Sequence, residues 1–254
     1  MQDRNTDAAG KPLTARSVLA STLLGADPPE LPVAHLVAVA GLFGVNPNRA
    51  RVALSRMVSS GEATTDGAGT YRLAGHLLDR QRRQAESRAG YSGPWSGDWH
   101  VVVLTSVGDA AEVRSGRRRA LETARLAELR QGVWTRPDNL ALERTVAPDA
   151  EWFRARPSSD PAVLAAALWD LTGWAARARR LLADIAARPT RGPDDLAPGF
   201  VLSAAVLRHL QGDALLPTAL VPESWPGAEL RTAYDEFDSR YRAVLADWGR
   251  RVRA

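Results

Sequence analysis

Residues 46–73 read NPNRARVALSRMVSSGEATTDGAGTYRL, and this stretch carries the first hypothesis about the chain. Asn46 suits a helix N-cap, because its side-chain oxygen accepts from backbone N–H groups that lack partners in the first turn. Pro47 follows where a missing N–H costs nothing. Ala50, Ala53, Leu54, Met57 and Val58 repeat at helical spacing, so one face is apolar and expected to be buried. The opposite face carries Asn48, Arg51, Val52, Ser55 and Ser59, with Arg49 and Arg56 at its margin. Gly61 is placed to end the helix in the left-handed conformation. Two short β-prone runs then flank Asp66-Gly-Ala-Gly69, which signals a hairpin. Helix, stop and hairpin in that order is how a winged helix-turn-helix sets one helix in a DNA groove and braces beside it. Arginine pairs bidentately with guanine or with phosphate, asparagine reads adenine, and serine serves either. The candidate DNA contacts are therefore Asn48, Arg49, Arg51, Ser55 and Arg56 on the helix, with Thr65 and Arg72 on the hairpin. The plainer alternative is a solvated arginine face, in a chain that is arginine-rich throughout and holds one lysine, Lys11.

Upstream residues supply the rest of such a module. Thr14–Leu24 (TARSVLASTLL) predicts a first helix, broken by Gly25-Ala-Asp-Pro-Pro29. Leu31–Phe43 predicts a second, closed by Gly44, and a short turn leads on to Asn46. His35 falls among apolar residues of the second helix and is expected to be a packed or surface residue, not a ligand. Residues 1–75 carry seven basic and six acidic side chains, a net charge of +1. A DNA reader here depends on where a few arginines sit, not on bulk charge.

Composition bounds the remaining classes. The chain has 254 residues, 45% of them hydrophobic, which leaves room for two domains or three small ones. There is no uncharged apolar run of about 18 residues, so no membrane span is expected. The first residues, MQDRNTDAAGK, are polar without an apolar signal core and are expected to form a disordered tail. The absence of cysteine removes disulfides, thiolate nucleophiles and cysteine zinc sites, and fits a cytoplasmic protein. Net charge is a modest +4.

Beyond the hairpin, Ala74–Ala89 predicts a polar connector helix rich in arginine, and Gly90–Pro94 marks a boundary. Trp99–Val107 predicts a strand, Ala110–Leu126 a helix, Gly132–Pro137 a second strand and Glu151–Arg156 a third, which suggests a small α/β sandwich. Pro161–Ile185 is helical in composition, and Pro189–Pro198 predicts a loop. A helix is expected to open after Gly199, from Phe200 to about Leu210, and a last one runs over Ala228–Val252. The expected division is a tail at 1–11, a winged helix-turn-helix at 12–75, a connector at 76–94, a middle domain at 95–158 and a helical C-terminal domain at 159–254.

No catalytic constellation stands out: there is no G-x-S-x-G elbow, no P-loop and no G-x-G-x-x-G. The four histidines, His35, His76, His100 and His209, have no helical metal-ligand spacing. Asp194-Asp195 suits a helix cap better than an acid/base pair. No enzyme activity, metal or cofactor is therefore expected. Two other classes stay open: a metal-dependent nuclease-like enzyme using Asp98 or Asp109, and a protein-interaction module whose winged domain does not touch DNA.

Three separated groups of strings resemble one family. They are TARSVLASTLLG with FGVNPNRARVALSRMVSSGE; WSGDWHVVVLTS with GVWTRPDNL; and LWDLTGWAARARRLL with LRHLQGDALLPTALVPESWPG. In that order they resemble the PaaX-like transcriptional repressors. The resemblance implies an α+β chain with a winged helix-turn-helix, a ferredoxin-like middle domain and a helical C-terminal domain. Against the family pattern, the segment between Pro137 and Glu151 is shortened. The resemblance also implies a homodimer on a double-stranded DNA operator, released in several members by an acyl-CoA thioester. An effector pocket in this chain would draw on Trp99, His100, Trp134 and Arg136, with Trp95, Trp169 and Trp174 as further apolar lining; the alternative is that these tryptophans are core.

Overall fold

The computed structural model describes residues 13–105 and 110–253. The expected tail at 1–11 and Asp109 lie outside the described residues. The chain is α+β, with two small antiparallel sheets. It divides into two compact units that do not follow chain order. One gathers the described residues of Met1–Ala89 with Ala178–Gln211 and Ala228–Ala254; the other gathers Gly90–Arg177 with Gly212–Gly227. Segments expected to form one C-terminal helical region thus lie in both units.

The first unit opens with α1 (Ala15–Leu24), β1 (Glu30–Pro32), α2 (Val33–Gly41) and α3 (Pro47–Ser59), followed by β2 (Ala63–Thr65), β3 (Thr70–Leu73) and α4 (Gly75–Ala89). Local chemistry sets the ends. Thr14 and Ser17 form a reciprocal capping box on α1. Asn46 Oδ1 accepts from the Arg49 N–H at 2.9 Å, and Pro47 occupies the first turn of α3. At the hairpin tip the Asp66 carboxylate accepts from Ala68 and Thr70 N–H at 2.8 and 2.9 Å. Gly67 and Gly69 there adopt φ of 76° and 105°, which a side chain would resist. Strand order is β1-β3-β2, with Leu31 opposite Tyr71 and Ala63 opposite Leu73.

Leu31 and Pro32 were expected in the second helix but form β1, because the Pro28-Pro29 and Pro32 context holds the preceding residues extended.

Leu19, Leu23, Leu36, Leu54, Met57, Leu73 and Leu77 close the core under α3. A second cluster joins Val18, Val39 and Phe43 to Ala197, Phe200, Leu245 and Trp248, so the N-terminal helices share packing with α8 (Leu196–Gln211) and α9 (Gly227–Arg253). Phe43 and Phe200 meet with ring centroids 5.0 Å apart. The connector α4 packs on α8 instead of standing free in solvent. Its Arg88 pairs with Asp235 at 2.6 Å and Asp238 at 2.8 Å.

The helix expected from Phe200 begins instead at Leu196. Gly199, expected at its boundary, lies inside it: a Cβ there would sit 2.9 Å from Tyr241 Cδ2. The glycine makes room for a ring from α9.

In the second unit, β4 (Trp99–Leu104), α5 (Ala111–Thr123), β5 (Ala127–Arg130), β6 (Val133–Pro137) and β7 (Ala150–Ala155) give an antiparallel sheet of order β5-β6-β4-β7. Strand β5 is an addition to the three strands expected here. Between β6 and β7 lies a 3-10 turn, Arg144–Val146. Period-two alternation sends Val102 and Trp134 to the α5 side, with Leu121 and Leu126. Trp99 turns the other way, onto Ala165 of α6 (Pro161–Leu168) and onto Leu216 and Leu220. Between α6 and α7 (Leu171–Ala187), Trp169 is extended and the Asp170 carboxylate caps the Gly173 N–H at 2.8 Å.

Candidate nucleic-acid interface and an arginine-lined cavity

Helix α3 buries Ala50, Leu54 and Met57 and turns Asn48, Arg49, Arg51, Val52, Ser55, Arg56 and Ser59 outward. No acidic partner reaches Arg49, Arg51 or Arg56 among the described residues. Four other exposed arginines are paired instead: Arg72 with Glu30, Arg82 with Asp79, Arg118 with Glu128 and Arg156 with Asp98. Val52, half exposed, places an apolar side chain among them, suited to a thymine methyl.

The two hairpin candidates fare differently. Thr65 is exposed and its hydroxyl accepts from the Gly67 N–H at 3.3 Å. Arg72 is committed to Glu30, its cross-strand neighbour. With Asp66 at the tip, the hairpin is the less basic part of this surface.

An open groove runs between the N-terminus of α1 and the outer face of α3, lined by Arg16, Asn48, Arg49, Val52, Arg56 and Glu62 among others. Glu62 is buried and accepts a two-toothed contact from Arg16, whose Nε lies at 2.8 Å. That hydrogen bond, against the cost of burial, holds the Glu62 carboxyl below its ordinary range. Arg16→Ala should therefore destabilise the chain by about 1–3 kcal/mol, since a buried carboxylate loses its donor; urea unfolding measures this, and an unchanged midpoint contradicts it.

Trp169 and Trp174 line a cavity of about 270 Å³ with Trp225, but Trp99, His100, Trp134 and Arg136 are not part of its lining. Arg136 is fully buried, and its guanidinium donates to the carbonyls of Pro137, Ala124 and Ala214 and to Asn139 Oδ1, at 3.1–3.4 Å. Burial and the nearby Arg125 push its pKa down to about 9. The expected anion contact at Arg136 is thus replaced by contacts to the protein's own oxygens. Trp99 and Trp134 are buried on opposite faces of the sheet. His100 Nε2 lies 2.6 Å from Asp138 Oδ1, and Asp138 Oδ2 meets Arg154 at 2.9 Å.

Burial lowers the His100 pKa, opposed by Asp138. As pH falls below the ordinary histidine value of about 6.5, the unfolded chain binds a proton that the folded site resists, so stability declines. The His100→Gln variant should lose less melting temperature than the parent between pH 7.5 and 5.5; parallel curves contradict this.

Sequence reasoning missed a cavity of about 410 Å³ within the first unit, between α1, α4, α8 and α9. Arg80, Arg88, Arg208 and Arg242 reach it, with Phe200 and Tyr241 in its wall. These residues are far apart in sequence, so no local motif announced it. The candidate metal carboxylate Asp98 is engaged by Arg156 at 2.6 Å and by Ser96. Among the described residues no cluster of three His, Asp or Glu could hold a metal ion, and no helix is long and apolar enough to cross a membrane.

Comparison with known proteins adds the family. The PaaX-like protein model matches residues 14–77, from the cap of α1 to the first turn of α4. Residues 14–77 of the chain are PaaX-like. A solved structure, the uncharacterized protein Rv0674 from Mycobacterium tuberculosis, is 42% identical to this chain. It matches over 93% of this chain and 99% of its own, with a TM-score of 0.74. No curated protein matches.

Strings from separate parts of the sequence meet in the structure. Asn139 of GVWTRPDN donates to the Leu215 carbonyl at 2.8 Å, in the LLP string. Asp138 pairs with His100 of WSGDWH. Those strings contribute a buried polar cluster, with Arg136 and Asn139 at its centre.

Proposed function

We propose that the protein is a sequence-specific DNA-binding transcriptional regulator, a cytoplasmic homodimeric repressor released by a small-molecule effector. The observation that carries the reading is the set of exposed arginines on α3, without acidic partners among the described residues, next to a β2–β3 hairpin. The order α1-β1-α2-α3-β2-β3 supports a winged helix-turn-helix reading, in which α3 would be the recognition helix. The sheet order β5-β6-β4-β7, with a helix crossing from β4 to β5, supports a ferredoxin-like reading of the middle region, with a 3-10 turn where a second helix would stand. The PaaX-like match over residues 14–77 supports the same reading, and an acyl-CoA thioester is the effector class to try first.

Arg49, Arg51 and Arg56 divide the work by chemistry. Those that reach guanine edges give specificity; those that reach phosphate give affinity that salt erodes. Binding to DNA from upstream of the protein's own gene, followed by fluorescence anisotropy, tests this. Affinity should fall by about 0.9 log unit per log unit of salt for each phosphate neutralised. Half-sites should lie about one helical turn, or a multiple of it, apart. Equal affinity for unrelated DNA of the same length, or none at low salt, removes the proposal.

A further inference from the structure

We infer that the cavity between α1, α4, α8 and α9 is a binding site for a small organic anion, an apolar body carrying a carboxylate or phosphate head, with Arg80 as its principal charge partner.

Five arginines line the cavity, Arg80, Arg82, Arg88, Arg208 and Arg242, against two carboxylates, Asp27 and Asp238. Asp238 is buried and already shared: Arg88 Nη1 and Arg242 Nε each approach it at 2.8 Å. Arg88 takes Asp235 as well, and Arg82 takes Asp79. Arg80 has no acidic partner among the described residues. Its charged neighbours are instead cations, Arg208, Arg16 and Arg83. Burial first, and those cations next, lower its pKa. Arg80 is exposed and lines the cavity, with no carboxylate among the described residues to compensate its charge. A ligand anion would supply what the fold withholds, through a bidentate, charge-assisted arginine contact.

The walls define the rest of the ligand. Phe200, Leu207, Tyr241 and Leu245 make one side apolar, and Val39 of α2 contributes from another. A volume of about 410 Å³ exceeds the needs of an inorganic ion and fits the usual range for small-molecule sites. Fixed polar groups are also present: the Tyr234 hydroxyl lies 2.9 Å from Ser203 Oγ, and Arg88 sits 5.0 Å over the Tyr234 ring.

Position gives the site a regulatory consequence. The cavity touches α1 and α2, which pack against α3, and also α8 and α9. An occupant would bridge the elements that hold the arginine face, so its affinity would differ between arrangements of those helices, as an effector's must. That consequence rests on the DNA-binding reading; occupancy of the cavity does not.

The test is made without DNA, on the full chain. Octanoate, octanoyl-CoA and neutral octanol are compared by calorimetric titration, with thermal melting alongside. Octanoate and octanoyl-CoA share an eight-carbon body and differ in the source of negative charge. Binding by either, raising the melting temperature, with octanol inert at equal concentration, is expected. Arg80→Gln should weaken that binding about tenfold or more, as removal of one charge-assisted hydrogen bond does, and Arg80→Lys less. Arg51→Ala, outside the cavity, should leave it unchanged. Because Arg80 has no acidic partner among the described residues, Arg80→Gln should melt like the parent. Octanol binding as well as the anions, an unchanged affinity in Arg80→Gln, or no binding of either anion at millimolar concentration overturns the inference. An anion that binds through Arg80 while the protein fails to bind DNA sustains this site and removes only the regulatory reading.

Discussion

Replacing Arg51 and Arg56 together with alanine should abolish specific DNA binding and leave the fold untouched. Both side chains are exposed on α3 and neither is held by a carboxylate among the described residues, so their removal breaks no ion pair there. Stability should change by no more than about 0.5 kcal/mol. Binding should change far more, by about 1–3 kcal/mol for each base edge no longer read, or roughly tenfold to a hundredfold apiece. An arginine that touches only phosphate behaves differently: its removal weakens all sequences alike and lowers the salt slope by about one. Single variants at Arg49, Arg51 and Arg56 therefore sort the three into base readers and backbone clamps. Arg72→Ala should have the smaller effect on DNA, because that guanidinium is already paired with Glu30. If the Arg51/Arg56 double variant binds its operator like the parent, α3 is not the reading helix.

The second large effect concerns stability. Arg136→Ala should cost on the order of 3 kcal/mol or more, a severe loss against a total of about 5–15 kcal/mol. The guanidinium is fully buried and serves carbonyls of Ala124, Pro137 and Ala214 together with Asn139. Alanine would leave those oxygens dry and unpaired around a hole. Arg136→Met fills more of the hole but donates no hydrogen bond, so it should fall between. Denaturant unfolding read by tryptophan fluorescence measures both, since Trp99 and Trp134 are in the same unit. A near-normal midpoint for Arg136→Ala, together with a vanished response to an anionic effector, would return Arg136 to the role its sequence context suggested.

Much of α3 and its hairpin was legible because local chemistry determines them. A cap, a proline, a stripe of apolar residues and an Asp-Gly turn need no distant partner. What escaped had tertiary causes. Gly199 looks like a helix boundary until the Tyr241 ring is placed over it. Strand β5, Ala127–Arg130, lacks β-branched residues and pairs with β6 through an irregular register. Arg136 looks like an anion ligand until the carbonyls of Ala124 and Ala214 are folded around it. The cavity assembles arginines from positions 80, 88, 208 and 242, which no window along the chain would group. The DNA-facing candidates on α3 were readable for the converse reason: helical periodicity alone turns them away from the core.

The most direct test of the DNA-binding account is dimethyl sulfate protection on the operator. The reagent methylates guanine N7 in the major groove and adenine N3 in the minor groove. With α3 in the major groove, the protein should protect guanine N7 in two patches about one helical turn apart, or a multiple of it. The Arg51/Arg56 double alanine variant should lose that protection. Protection confined to adenine N3, or guanine protection that survives in the double variant, would contradict the assignment of α3.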